Sequence, residues 1–259
     1  MPSSYTIPVL EKTFKVIKCV SENEDGLTLS DIVKKTDEPK STVFKILYTL
    51  EKELILEKRN DLYFLGSMLI HYGLHTLSQR DLKVVAKPYL RKLMEDTGET
   101  AHIAIPVGMQ SMILDVELTT HPIRFSSPIG SLFPLYCTSH GKCMLAFSED
   151  FTLSEYIEQN KLLGRTSKTI TEPEKLKEEI EKIRKTGYSM DEIEFADDIR
   201  CCAAPVRNEK GKLICAVGIT STIITFPKER IEEISKIVIE TANKISASMG
   251  YNIIKATSN

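Results

Sequence analysis

No apolar run in this sequence approaches the roughly 18–20 residues that cross a bilayer. The first residues, MPSSYTIPV, lack the charged and apolar regions of a secretory signal peptide. The six cysteines lack the paired spacing that is typical of a secreted disulfide scaffold or a zinc ribbon. These absences predict a cytoplasmic protein with reduced cysteines, no metal site, no cofactor and no membrane partner.

The chain also lacks an excess of charge of either sign, with 34 Lys and Arg against 36 Asp and Glu. A strongly basic nucleic-acid-binding surface over the whole chain is therefore excluded, and any positive field must be local. The chain has 259 residues, of which 42% are hydrophobic and 27% charged. Those values predict a folded globular protein that is long enough for two domains.

Residues 27–66 have the pattern of a helix-turn-helix followed by a β-hairpin. Thr28 and Asp31 have capping-box spacing, and Pro39 marks the start of a second helix. Four apolar residues of that helix share one face at i, i+3, i+4 and i+7 spacing: Val43, Ile46, Leu47 and Leu50. A further helix over residues 9–20, with Leu10, Phe14, Ile17 and Val20 on its core side, would complete the three-helix core of a winged helix.

The opposite face of the second helix suits contact with DNA, because a helix fits the major groove and polar side chains reach bases and phosphates. The candidate DNA-binding residues are Lys40, Ser41, Thr42, Lys45 and Tyr48 on that helix, with Lys58 and Arg59 at the tip of the hairpin. An isolated helix pair with this pattern is more often only solvated. The hairpin and the preceding helix favour double-stranded DNA, and the modest charge favours a dimer on paired half-sites.

The second half of the chain has strands in groups rather than regular β-α-β alternation, which predicts an α+β class. A linking helix over residues 67–78 leaves apolar surface, and a helix over residues 82–96 follows. The candidate strands are AHIAIPV, MILDVEL, PIRFSSP, residues 200–206 and residues 213–220. An amphipathic helix begins at Pro227. We therefore predict an antiparallel sheet flanked by helices.

The segment PLYCTSHGKCMLAF changes from strand to helix at Thr138 and Ser139. The start of a helix presents free N–H groups and a positive dipole end, and here it adds two hydroxyls, which together favour an anion such as a carboxylate. Alternatively, Thr138 is simply the N-cap of the helix.

Together these motifs resemble the IclR family of transcription regulators over nearly the whole chain. The resemblance rests on LTLSDIVKKTDEPKSTVFKILYTLEKE, YFLG, TGETAHIAI, PLYCTSHGKCMLAF, GYSMDEIEFADDIRCCAAPV and AVGIT, in this order. It implies a winged helix-turn-helix over residues 1–66, a linking helix over residues 67–80, and a GAF-like or profilin-like effector domain over residues 81–259. Members form dimers or tetramers on operator DNA and respond to small organic metabolites, often carboxylates.

The resemblance also implies an effector pocket formed by Thr138, Ser139, His140, Gly141, Asp191, Cys201, Gly218 and Thr220. Two of these residues depart from the family pattern. Gly218 stands where serine is common, which predicts a wider pocket. His140 replaces a small residue and would add a cationic or hydrogen-bond-donating group.

Two other interpretations of Cys201, His140 and Asp191 remain open from the sequence. A thiolate beside an imidazole and a carboxylate is a nucleophile arrangement, which would make the chain a cysteine-dependent enzyme. The same three side chains resemble a metal-ligand set, which would make it a metal or redox sensor. Both are disfavoured, the enzyme more strongly, because a Cys before Cys-Ala-Ala more often lies in a strand. His102 and His121 are interpreted as ordinary strand or loop histidines.

Overall fold

The computed structural model describes residues 6–78, 82–122, 124–125 and 127–251 of the chain. The chain divides into two compact units, residues 1–81 and 82–259. Both units combine helices with antiparallel strands, so the α+β prediction is confirmed. Within the ranges described, no helix is both long and apolar enough to cross a bilayer.

The first unit is a three-helix core with a two-stranded antiparallel wing. Its elements are α1 (Pro8–Ser21), α2 (Leu29–Thr36), α3 (Lys40–Lys52), β1 (Leu56–Arg59), β2 (Leu62–Leu65) and α4 (Ser67–Ser78). Asn60 and Asp61 close the hairpin with φ of 48° and 67°, as a tight turn between right-twisted strands requires. The predicted linking helix corresponds to α4.

Local side-chain chemistry explains the helix-turn-helix. The Thr28 hydroxyl accepts from the N–H of Asp31 at 3.2 Å, and an Asp31 carboxylate oxygen accepts from the N–H of Thr28 at 3.1 Å. This reciprocal cap begins α2, while Asp37 ends it in the left-handed conformation at φ 54°. All four predicted core residues of α3 are buried. The predicted capping box and the apolar face of α3 are therefore confirmed.

The predicted core face of α1 is partly wrong. Val20 is buried as expected and Ile17 is half-buried, but Leu10 and Phe14 are exposed, Phe14 at 68%. The core instead takes Val16 from this helix. The N-terminal half of α1 extends beyond the small core of this unit, so its apolar side chains lie outside it.

The second unit contains a six-stranded antiparallel sheet. Its strands are β3 (Thr100–Val107), β4 (Gln110–Glu117), β5 (Leu132–Pro134), β6 (Ser189–Glu192), β7 (Ile199–Arg207) and β8 (Leu213–Thr222). Their spatial order is β5-β4-β3-β8-β7-β6. The helices are α5 (Leu82–Thr97), α6 (Ser139–Phe147), α7 (Leu153–Gln159), α8 (Pro173–Thr186) and α9 (Ile231–Ser248), the last preceded by a 3-10 turn (Lys228–Arg230).

Both faces of the central strands are covered, because successive residues of β7 from Ile199 to Ala204 are all buried. α9 and α6 both pack on β7, α5 packs beside α9, and α8 packs on α6. Consecutive strand residues point to opposite faces, so burial of consecutive residues requires helices on both sides of the sheet. α6 covers one side and α9 covers the other. The α6 side carries the candidate effector site.

The predicted strand PIRFSSP is wrong for its described residues, which are not in a strand, while residues 123 and 126 lie outside the described part. The segment contains Pro122 and Pro128, and proline cannot donate to a strand ladder. The sheet edge is formed instead by β5, which pairs with β4 through Met112 and Leu132.

Candidate DNA surface and effector site

The outer face of α3 is a polar strip with two aromatic side chains. Lys40, Ser41, Lys45 and Tyr48 are exposed, and Thr42 is half-buried at its edge. Within the described part of the chain, Lys40 and Lys45 form no salt bridge, so both charges are available to a ligand. The structure therefore places the five predicted helix residues together on one accessible surface.

The two predicted wing cations are exposed but paired. Lys58 Nζ lies 2.8 Å from a carboxylate oxygen of Asp61, and the Arg59 guanidinium binds both oxygens of Glu57 at 2.9 and 2.8 Å. Side-chain hydrogen bonding to these carboxylates raises the pKa of both cations. Exposed ion pairs of this kind are weak, so a phosphate can replace the carboxylates.

Strand register brings the predicted effector residues onto one face of the sheet. Asp191 pairs with Cys201, and Cys201 pairs with Thr220. Directly paired residues of antiparallel strands project to the same side. Two residues along, Gly218 pairs with His102 on β3. The three side chains predicted from β6, β7 and β8 therefore form one row, and His102 lies on the same face.

His102 meets His140 across this site. The two ring centroids are 5.5 Å apart and the rings are nearly perpendicular. His102 Nδ1 lies 3.4 Å from the Thr220 hydroxyl, and His140 Nδ1 lies 3.5 Å from the Thr138 hydroxyl. His102 is buried, and its Nε2 has no hydrogen-bond partner within the described part of the chain. The interpretation of His102 as a strand histidine placed it correctly in β3 but missed this contact, which depends on the packing of α6 against the sheet.

Both imidazoles are neutral at neutral pH. Burial lowers the pKa of His102 to about 4. Burial, together with the neighbouring His102, holds the pKa of His140 well below its ordinary value. His140 therefore supplies a neutral ring, which corresponds to the hydrogen-bond-donating alternative of the two expected from the sequence.

The first turn of α6 begins beside this pair. Thr138 is the N-cap: its hydroxyl accepts from the N–H of Gly141 at 3.2 Å and donates to the Pro134 carbonyl at 3.0 Å. Among the residues described, the N–H groups of Ser139 and His140 form no hydrogen bond, and the buried Ser139 hydroxyl has no partner. The geometry thus shows Thr138 as the N-cap of α6. The free hydrogen-bond donors are the N–H groups of the next two residues, Ser139 and His140.

Asp191 is buried, and its Oδ1 accepts from the N–H groups of Glu194 and Phe195 at 2.7 and 3.3 Å. Burial raises the pKa of Asp191 to about 7, despite these bonds and the attraction of Lys142, which act in the other direction. Near neutral pH a large fraction of Asp191 is therefore a carboxylic acid, which can donate as well as accept a hydrogen bond.

Cys201 does not form the reactive thiolate that an enzyme would need. Burial, followed by the nearby Asp191 carboxylate, holds the pKa of its thiol well above the ordinary value. The thiol instead lies 3.5 Å from the Thr220 hydroxyl. Over the described ranges, no three His, Cys, Asp or Glu side chains are arranged to hold a metal ion. The nucleophile and metal interpretations therefore find no support in this geometry.

Two glycines of the site allow backbone segments to approach closely. A Cβ atom on Gly218 would lie 2.2 Å from the carbonyl oxygen of Cys202, and one on Gly141 would lie 2.5 Å from the Leu135 backbone. The expectation that Gly218 widens the pocket is wrong, since neighbouring β7 already fills the position of a side chain.

Lys142 is a further site residue that the sequence analysis missed. It is fully buried, forms a short salt bridge with Glu194, and lies 3.3 Å from Glu179. Glu194 donates its backbone N–H to Asp191. Lys142 therefore joins α6 to the segment that holds Asp191. The signal in the sequence was its place in an otherwise apolar helix directly after Gly141, because a buried lysine requires a carboxylate partner.

Comparison with known proteins agrees with this geometry. Residues 74–247 match the family described as bacterial transcriptional regulator IclR C-terminal, and residues 9–59 match the IclR helix-turn-helix domain. The chain belongs to the IclR family of transcriptional regulators. The predicted family, the DNA-binding regulator class and the absence of an enzymatic role are confirmed, because the relatives of this chain are regulators.

Individual relatives match this IclR-family chain over nearly all of their length. The transcriptional repressor IclR of Escherichia coli (strain K12) is 27% identical, with 96% of this chain and 92% of that protein covered. The uncharacterized HTH-type transcriptional regulator RhmR of the same strain is 30% identical, with 97% and 96% covered. The crystal structure of the Thermotoga maritima IclR superposes with a TM-score of 0.70 at 32% identity, covering 95% of this chain and 100% of that one.

Proposed function

We propose that this regulator binds operator DNA through the outer face of α3 and the tip of the wing, and that a small organic acid bound in the second unit changes its operator affinity. The proposed DNA contacts are the seven residues predicted from the sequence: Lys40, Ser41, Thr42, Lys45, Tyr48, Lys58 and Arg59. The free charges of Lys40 and Lys45 support this placement, since phosphates supply much of the affinity for DNA.

The observation that carries the effector proposal is the unpartnered Nε2 of His102, buried against the ring of His140. Buried polar atoms in proteins nearly always have a partner, and a site that leaves one without is suited to a ligand. The Ser139 hydroxyl is a second such atom. Ligand oxygens that accept from His102 Nε2, from the Ser139 hydroxyl and from the free N–H groups of α6 would give each of these donors a partner.

This set of groups favours a carboxylate that also carries a hydroxyl. The helix start attracts the anion, while both histidines remain neutral donors. An ionised Asp191 would repel the carboxylate of such a ligand. The raised pKa of Asp191 allows its protonated, uncharged form near pH 7. Asp191 and Thr220 would then hydrogen-bond the ligand hydroxyl. A hydroxy acid or a sugar acid would therefore bind the start of α6 through its carboxylate, and Asp191 and Thr220 through its hydroxyl.

We also propose that the DNA-binding form is a homodimer or a tetramer built from two such dimers. The N-cap Ile7 and the N-terminal half of α1 leave four large apolar side chains exposed, namely Ile7, Val9, Leu10 and Phe14. A second copy of the chain would cover this face and place two α3 helices on half-sites about one helical turn apart. Effector coupling of about 1–3 kcal/mol, passed through α4, would change operator affinity roughly 5–150-fold.

A thermal-shift screen of the full chain tests the effector proposal. The panel contains small 2-oxo, 2-hydroxy, aromatic hydroxy and sugar acids, with the matching amides as uncharged controls. We expect an acid to raise the Tm where its amide does not, and His102→Phe and Asp191→Ala to abolish that shift. A hit whose shift survives both substitutions would place the effector elsewhere.

A further inference from the structure

The DNA-facing side of α3 carries an apolar side chain that charge and hydrogen bonding do not explain. Phe44 is 55% exposed and lies outside the buried face of α3, which consists of Val43, Ile46, Leu47 and Leu50. It lies three residues after Ser41 and four before Tyr48, so helical periodicity places it within the same strip.

Phe44 does not belong to the core of the first unit. In the part of the chain that the structure describes, the partly buried side chains packed on that core are Ile17, Cys19, Leu29, Val33 and Ile55. A single exposed apolar side chain is common, but Phe44 lies four residues before Tyr48, which is 65% exposed, and neighbouring exposed apolar side chains often mark a contact surface. Phe44 lies within the polar strip of α3 that we propose binds DNA, so DNA is the partner that would cover the ring.

The position of Phe44 matches the part of a recognition helix that reads bases. It is in the second turn of α3, after Lys40, the first residue of the helix. In helix-turn-helix proteins the N-terminal part of this helix contacts base edges. The major groove offers one apolar group on those edges, the C5-methyl of thymine, and phenylalanine is among the residues that pack on it.

We propose that Phe44 determines operator specificity by packing on the C5-methyl group of a thymine in each half-site. This inference rests on the proposed placement of α3 in the major groove. Lys40 and Lys45 would hold the helix to the phosphates, and Phe44 would add a base preference that phosphate contacts cannot supply. Loss of one such methyl contact corresponds to a roughly three- to fivefold weaker Kd.

Replacing thymine with deoxyuridine tests the inference, because this change removes the methyl group and keeps base pairing. The full chain first selects its preferred duplex from a random DNA pool. Each thymine of that duplex is then replaced singly by deoxyuridine, and Kd is measured at one fixed salt concentration. We expect a roughly three- to fivefold loss at one or more thymines of each half-site. Phe44→Ala should bind the thymine duplex more weakly and bind both duplexes equally at those positions.

Phe14→Ala is the matched control, because it removes a similarly exposed phenyl ring from α1. It should keep the preference for thymine over deoxyuridine whatever it does to overall affinity. The inference is overturned if no deoxyuridine substitution weakens binding, or if Phe44→Ala retains the preference. Failure to select any sequence would overturn specific DNA binding itself, and this inference with it.

Discussion

The Asp191→Asn protein should become increasingly stable relative to the wild type as the pH rises. The asparagine side chain would keep an Oδ1 acceptor for the N–H groups of Glu194 and Phe195, which lie 2.7 and 3.3 Å from it in the wild type. The substitution removes only the group that ionises. Burial places the pKa of Asp191 at about 7 in the folded chain, against an ordinary value of 3.8.

The sign and size of the effect follow from proton linkage. Between these two pKa values the folded chain holds a proton that the unfolded chain has released, so the stability of the wild type falls as pH rises through this window. Above pH 7 the fall levels off. At about 1.4 kcal/mol per pKa unit, the wild type loses about 2–3 kcal/mol between pH 5 and pH 8 that Asp191→Asn does not lose.

Urea unfolding followed by circular dichroism at pH 5 and pH 8 measures this difference. Other titrating groups are shared by the two proteins and cancel in the comparison. Asp197→Asn is the matched control, because Asp197 is an exposed carboxylate of the same unit. Parallel pH profiles for wild type and Asp191→Asn would show that Asp191 is ionised in the folded chain, and the account of the neutral effector site would be wrong.

Three substitutions test other parts of the structure. Lys142→Met leaves the buried Glu194 carboxylate without its cation, so we expect a loss of about 3–5 kcal/mol by urea unfolding; a loss below about 1 kcal/mol would contradict the pairing. Gly218→Ser forces a side chain against the Cys202 carbonyl, and the Tm should fall, since overpacking costs about 1–3 kcal/mol. An unchanged Tm would show that β7 can move aside. Phe14→Lys should shift the dimer toward monomer in sedimentation, with unchanged circular dichroism; an unaltered dimer would exclude the α1 face.

The helix-turn-helix could be predicted from the sequence because its determinants are local. The cap between Thr28 and Asp31 and the buried face of α3 depend on residues within a few helical turns. The exposure of Phe14 could not be predicted in this way. Periodicity showed that α1 has an apolar face, but only the small size of the core shows that this face extends beyond it.

The effector site could be predicted only as a set of strand and loop residues. The resemblance indicated Asp191, Cys201 and Thr220, and the register of the sheet aligns them. The contact between His102 and His140 depends on packing between β3 and α6, which are far apart in sequence. Gly218 illustrates the same limit, because its close neighbour is the backbone of another strand.

Binding of the selected duplex by wild type and Lys45→Ala tests the central claim most directly. Lys45 is exposed and forms no salt bridge in the described part of the chain, so its replacement should leave the fold and the ligand-induced thermal shift intact. We expect a Kd at least several-fold weaker and a smaller dependence of log Kd on log salt, by about one unit for a lost phosphate contact. An unchanged Kd and salt slope would contradict the placement of α3 on DNA.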